Sequence, residues 1–140
     1  MRAIPATQSH LDWLVRRVGC ARVSDLRGVT VEDASGRVLG VAGLCSWTPN
    51  GAELHFALSS PTAIRSLAPA VADYLFLQSE RVLALARVVS SNVRSRRLVE
   101  WLGFREAHRI RGGWADGVDI ILYEMRRDDC RFLKFHRKAA

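Results

Sequence analysis

The chain has 140 residues, 49% hydrophobic and 25% charged, with a formal net charge of +7. That length suits one domain, residues 1–140, built on a single core. No apolar run reaches the roughly 18 residues of a membrane span, and Asp12, Arg16 and Arg17 interrupt any leader-like block, so a cytoplasmic protein without membrane contact is expected.

The first periodic segment, "SHLDWLVRRVG", places Leu11, Leu14, Val15 and Val18 on one helical face, with Ser9 as N-cap and Gly19 as stop. Two β-rich runs, "GVTVED" and "RVLGVAGLCSW", flank the turn "ASG" and read as a hairpin. After the turn "TPNG", the run "AELHFAL" alternates strictly, with Glu53, His55 and Ala57 on one face and Leu54, Phe56 and Leu58 on the other. A helix fits Ile64 to Gln78, although Pro69 implies a kink or a late start. "RVLALARVV" is a buried strand, and a helix from Val93 to Leu102 follows, with Leu98, Trp101 and Leu102 as its apolar stripe. Strand "FREAHRIRG", loop "GWADG" and strand "VDIILYEMR" come next, and "DDCRFLKFHRK" closes as a short basic helix. Strand–helix–strand alternation in the second half requires parallel pairing through a crossover, while the hairpins make the sheet mixed. The expected class is an α/β three-layer sandwich.

Within "SSNVRSRRLVEWLGFRE", Asn92 ends a strand and caps a helix, and Gly103 is its left-handed terminator. This cassette, followed by a hairpin ending "ILYEMRR", resembles the C-terminal half of the GNAT superfamily of N-acetyltransferases, and the element order matches that fold over nearly the whole chain. The ending "YEMRRDDCRFL" is similar to small, often phage-encoded members, which suggests a phage or prophage origin. The resemblance implies a mostly antiparallel sheet splayed between strands 53–58 and 82–89. The arm of acetyl-CoA or another acyl-CoA would enter there. It further implies that the pyrophosphate meets the start of the helix after residue 58, where Ser59, Ser60, Thr62 and Arg65 stand, and that Asn92, beside Ser91, bonds the cofactor arm. Members of the superfamily are often dimers, so a homodimer is among its implications.

Two departures accompany the match. The glycine-rich pyrophosphate loop of the family is replaced by "LSSPTAIRSLAPA", and no glycine stands between Gly51 and Gly103. The family's general-acid tyrosine, seven residues after the Asn, is Val99 here. The proton for the leaving thiolate then falls to Ser90, Ser91, Tyr123 or water.

The candidate chemistry centres on Glu53 and His55, at i and i+2 of one strand face. An ordinary imidazole titrates near ~6.5 and suits a general base, with Glu53 as its helper; the same pair also serves as simple structural polar groups. Positive charge is nearly all arginine, Lys134 and Lys138 being the only lysines. Guanidinium forks suit phosphate, although GC-rich coding gives the same composition. Arg94, Arg96 and Arg97 oppose the macrodipole at a helix start, and Arg94 is a candidate for donor phosphate or nucleic acid. Trp114, with Arg109 and Arg111, suits a nucleobase and its phosphates, or packs back on the core. Cys20, Cys45 and Cys130 form no paired spacing, and His10, His108 and His136 none that suits a ligand set, so neither disulfide nor metal is expected.

Three functions follow in order. The first is acyl-CoA-dependent N-acyltransfer by direct amine attack, with His55 as base. The second is a phage-type DNA-modifying enzyme similar to the Mom family. The third is a non-catalytic GNAT-fold module that binds nucleic acid or protein.

Overall fold

In the computed structural model, which describes residues 1–133, seven strands form one sheet with helices on both faces. In chain order they are β1 Arg2–Pro5, α1 Gln8–Val18, β2 Arg27–Glu32, β3 Val38–Cys45, β4 Gly51–Leu58, α2 Ile64–Ala72, β5 Leu83–Val89, α3 Val93–Leu102, β6 Arg105–Ala115 and β7 Val118–Arg126. The sheet order is β1-β2-β3-β4-β5-β7-β6. Every pairing is antiparallel except that of β4 with β5. This is the expected mixed α/β sandwich, with β1 as an edge strand that the short run "RAIP" did not signal. No helix among the described residues is long and apolar enough to cross a membrane.

The parallel ladder is short. Gly51 pairs with Leu83, Ala52 with Ala84 and Glu53 with Leu85, and pairing stops there. Beyond that point β4 stays with β3 to Leu58, while β5 stays with β7 to Val89. The two strands therefore diverge as the arms of a V. The facing backbone edges of residues 54–58 and 86–89 lack ladder partners, and an extended amide-bearing chain laid between them satisfies those groups.

Gly51 sets the closed end of the V. A Cβ there would lie 2.4 Å from the Leu83 carbonyl oxygen, so only glycine lets the strands meet. We expect Gly51→Ala to push them apart and cost about 1–3 kcal/mol in chemical denaturation, the usual cost of overpacking.

Alternation along β4 divides the two faces. Leu54 joins Ala42, Leu44, Leu67, Phe76, Val99 and Tyr123 in the main core under α2 and α3. Glu53 and His55 lie on the opposite face, opposite Cys45 and Gly43 of β3 in register. Here α1 settles closely, because side chains at Gly28 and Gly43 would strike Leu11 and Leu14. That approach carries the segment after α1 over the β4 end of the sheet. Thr7, not Ser9, caps α1, in a reciprocal capping box with the His10 imidazole. Gly19 ends it at φ 72°.

Helix α2 begins after a 3₁₀ turn, Pro61–Ala63, and runs through Pro69 before widening into a π-helical stretch, Asp73–Gln78. Pro69 has no N–H to offer one turn back, so the winding changes rather than the axis breaking. Asn92 and Gly103 bound α3 as expected, the latter at φ 111°. The apolar stripe differs: Val99 and Leu102 are buried, whereas Trp101 is 45% exposed. Its ring meets Arg131 and Phe132, a distant contact that helical periodicity does not reveal.

The expected loop at 113–117 is mostly strand, since β6 continues to Ala115 and only Asp116–Gly117 turn. Two 3₁₀ turns, Arg127–Asp129 and Arg131–Leu133, follow β7. The rest of the expected basic helix lies outside the described residues.

Candidate active site

The open V forms a cleft of about 410 Å³, floored by residues 54–57 and 86–89 and flanked by Arg17, Asn92, Ser95 and Val99. A second groove, about 420 Å³, runs over the α1 face between Cys20–Val23, Cys45, Glu53 and Trp114. His55, Arg87, Val88 and Val89 line both. These residues form the junction of the two spaces, and a group reaching through the V emerges beside the His55 imidazole.

Glu53 is only 8% exposed. Arg87 compensates its charge with two parallel bonds, Nε to Oε1 at 3.0 Å and an Nη to Oε2 at 2.9 Å. Hydrogen bonding from Arg87 therefore holds the Glu53 carboxyl below its usual range, against the opposing effect of burial. His55 Nε2 stands 3.5 Å from Glu53 Oε1, an ion-pair spacing longer than a direct hydrogen bond. Burial pushes the His55 imidazolium toward losing its proton, outweighing the pull of Glu53, and Arg87 adds to the effect. The shift favours the neutral imidazole, the form a proton acceptor needs.

Cys45 joins this pair: its sulfur, a Glu53 oxygen and a His55 nitrogen all lie within 4.8 Å of one another, a set that could hold a metal ion. The expectation of no metal rests on the unpaired cysteines and on the spacing of His10, His108 and His136, and does not weigh this set, which spans two strands. Both Glu53 oxygens accept from Arg87, and burial pushes the Cys45 thiol up.

With this geometry established, solved structures give the comparison. A chimera of the Vibrio cholerae spermidine N-acetyltransferase SpeG with hSSAT superposes at a TM-score of 0.75 and 15% identity, covering 96% of this chain and 100% of that one. The smu.2055 protein of Streptococcus mutans gives 0.73 at 16% identity, over 91% and 99%. The Vibrio cholerae enzyme in complex with CoA and spermine gives 0.69 at 18%, over 92% and 79%. The chain has the GNAT fold. No protein-family model matches it, and no curated protein matches it significantly.

On this GNAT fold the sequence candidates separate. Asn92 lines the V, and its Oδ1 accepts from Ser95 N at 3.1 Å. The carboxamide oxygen is therefore the helix cap, which leaves its NH₂ to donate elsewhere. We expect Asn92→Ala to cost about 0.5–2 kcal/mol as a lost cap. Asn92→Asp keeps the cap and removes the donor, so thermal melts and ligand titrations of both variants separate the two roles.

Ser90 is clamped to β7: its N–H donates to the Asp119 carbonyl at 2.9 Å, and its hydroxyl accepts from Asp119 N at 2.8 Å. Ser91 is exposed in the turn before Asn92. Ser59 and Ser60 both direct their N–H groups to the Leu39 carbonyl, and the Ser59 hydroxyl donates to the Val38 carbonyl. The glycine-free loop is thus tied to β3 rather than opened as an anion cradle. Arg65 is exposed at the start of α2, and Arg94 at the start of α3.

Trp114 lines the α1-face groove, while Arg109 binds Glu106 at 2.6 Å and Asp119 at 3.4 Å, and Arg111 is exposed on β6. Of the three, Trp114 alone lines that groove. Sequence reading missed Arg87, Arg17 and Cys45 as site residues. A lone charge in the apolar run "RVLALARVV" was the available signal for Arg87.

Proposed function

We propose that the protein is an acyl-CoA-dependent N-acyltransferase whose donor arm occupies the V and whose amine acceptor enters from the α1-face groove. The observation that carries this reading is His55, half-buried where the two spaces meet. The GNAT fold shared with N-acetyltransferases, one of them solved with CoA and spermine, supports it.

In the proposed reaction, His55 takes a proton from the acceptor ammonium, and the freed nitrogen attacks the thioester carbon. A C–N bond forms and the C–S bond breaks. CoA leaves as the thiolate and, through solvent, takes the second proton of the attacking nitrogen, since Val99 offers no proton and the Tyr123 side chain is buried; His55 then returns the first proton to solvent. Glu53, fixed by Arg87, keeps an anionic oxygen near the imidazole and stabilises the imidazolium that forms. Backbone N–H groups left unpaired along the V polarise the carbonyl. Arg65, Thr62 and the Asn92 amide are the candidate donor-binding groups. Ser59 and Ser60 act instead by fixing the loop to β3.

A thermal-shift titration with acetyl-CoA, CoA and duplex DNA tests this reading. Ligand at 100 times its Kd stabilises by about 2.7 kcal/mol. We expect both CoA species to raise Tm and DNA to leave it unchanged at moderate salt. A DNA shift that fades with salt, without a CoA shift, would favour the DNA-modifying reading. Trp114 facing the groove and Arg109 already paired give that alternative less support.

A further inference from the structure

We propose that the acceptor is a monoamine carried on a flat apolar group, an arylalkylamine by chemical class, rather than a polycation. The inference rests on the acyl-transfer reading and narrows it.

Charge comes first. A polyamine needs carboxylates to receive its distal ammonium groups, as burial of an unpaired cation is unfavourable. Glu53 is the one carboxylate lining the α1-face groove among the described residues, and its charge is already paired with Arg87. Arg87 is itself 59% exposed and lines that groove with its positive charge. Asp12, on the helix beside it, is bound by Arg22 at 3.2 Å, and Glu106 and Asp119 are bound by Arg109. The whole chain carries +7, which repels a polycation at long range. A monoamine meets the same field with a single charge and has no distal ammonium to place.

Shape comes second. Trp114 is 66% exposed yet lines the groove, with Val23, Val89 and Ile120 on the same walls. A large aromatic side chain held in water is an unfilled contact, and its preferred partner is another ring, offset or edge-on. Its position is constructed: the β6–β7 register shifts between Ile110 and Ala115, and Gly112 takes a φ of 61° inside that bulge. Such irregularities re-aim a side chain. The groove volume, about 420 Å³, falls in the small-molecule range of roughly 300–1,000 Å³. Trp114 and His55 line the same groove, so an aryl group on the indole and its amine at the imidazole would share one space.

The test uses the full chain with acetyl-CoA and separate acceptors: phenylethylamine, butylamine and spermidine, with acetylated products read by mass spectrometry. We expect kcat/KM for phenylethylamine to exceed that for butylamine by about three- to tenfold, with spermidine lowest. Trp114→Ala should reduce the aryl-over-alkyl ratio to near unity, and Trp114→Phe should restore most of it. Spermidine as the preferred acceptor, or an unchanged ratio in Trp114→Ala, overturns the inference and leaves acyl transfer standing. Acetyl-CoA bound without turnover of any of the three amines also overturns it. Failure of acetyl-CoA to bind, read separately in the thermal shift, overturns the underlying reading instead.

Discussion

Replacing His55 with Gln lowers kcat/KM for an amine acceptor by about 10²–10⁴-fold, the usual contribution of a positioned general base. Stabilisation by acetyl-CoA should persist in the variant, because the proposal has the donor arm held by backbone and by groups along the V. The pH profile gives the sharper readout. Burial lowers the His55 pKa from its ordinary value of 6.5, so the base stays neutral to a lower pH than a free imidazole. In the wild type the acid limb of kcat/KM, which reports the free protein, therefore falls below pH 6.5. In His55→Gln that limb disappears, and the residual rate climbs with pH as water and hydroxide take over. A wild-type limb above 6.5, or a variant with unchanged kcat, assigns the base elsewhere.

The second large effect is on stability. Arg87→Met leaves the Glu53 carboxylate almost buried with its two strongest partners gone. Stranding a buried polar group costs about 1–3 kcal/mol, more for a charge, and the exposure of Arg87 keeps the expectation within that range. The pH dependence has a definite sign. Hydrogen bonding to Arg87 lowers the Glu53 pKa in the folded state. The resulting stability is present above the unfolded carboxylate pKa, near 4.3, and is lost as pH falls through the lower folded value. Wild type and Arg87→Met should thus differ in denaturant midpoint at pH 7 and converge in acid. The double variant Arg87→Met/Glu53→Gln should recover much of the loss, since both charges are then absent. A gap that is constant with pH would mean that Arg87 acts through packing of its stem alone.

The elements most legible in the sequence were those whose signals are local. Strict alternation in "AELHFAL" announced both faces of β4 and put Glu53 and His55 on the same side. The Asn92 cap and the Gly103 stop likewise depend on groups within a few residues. Long-range partners were not legible. Arg87 meets Glu53 only because β4 and β5 pair in parallel, 34 residues apart in sequence. Cys45 joins the site through the β3–β4 register, and Trp101 leaves the core for a contact with Arg131 and Phe132. Trp114 was expected at the tip of a loop, yet the bulge before it lets β6 continue and turns the indole into the groove. Two serines at 59 and 60 looked like replacements for phosphate-binding glycines. Their N–H groups are committed to Leu39, a partner that sequence does not name.

The most direct test of the central claim is residue-resolved: amide chemical shifts of the ¹⁵N-labelled protein, followed through a titration with CoA. Occupation of the V predicts saturable perturbations concentrated on residues 54–58, 86–89 and Asn92, with little change on β1 and β2. Saturable shifts confined to other parts of the sheet, or none at all at millimolar CoA, would contradict it.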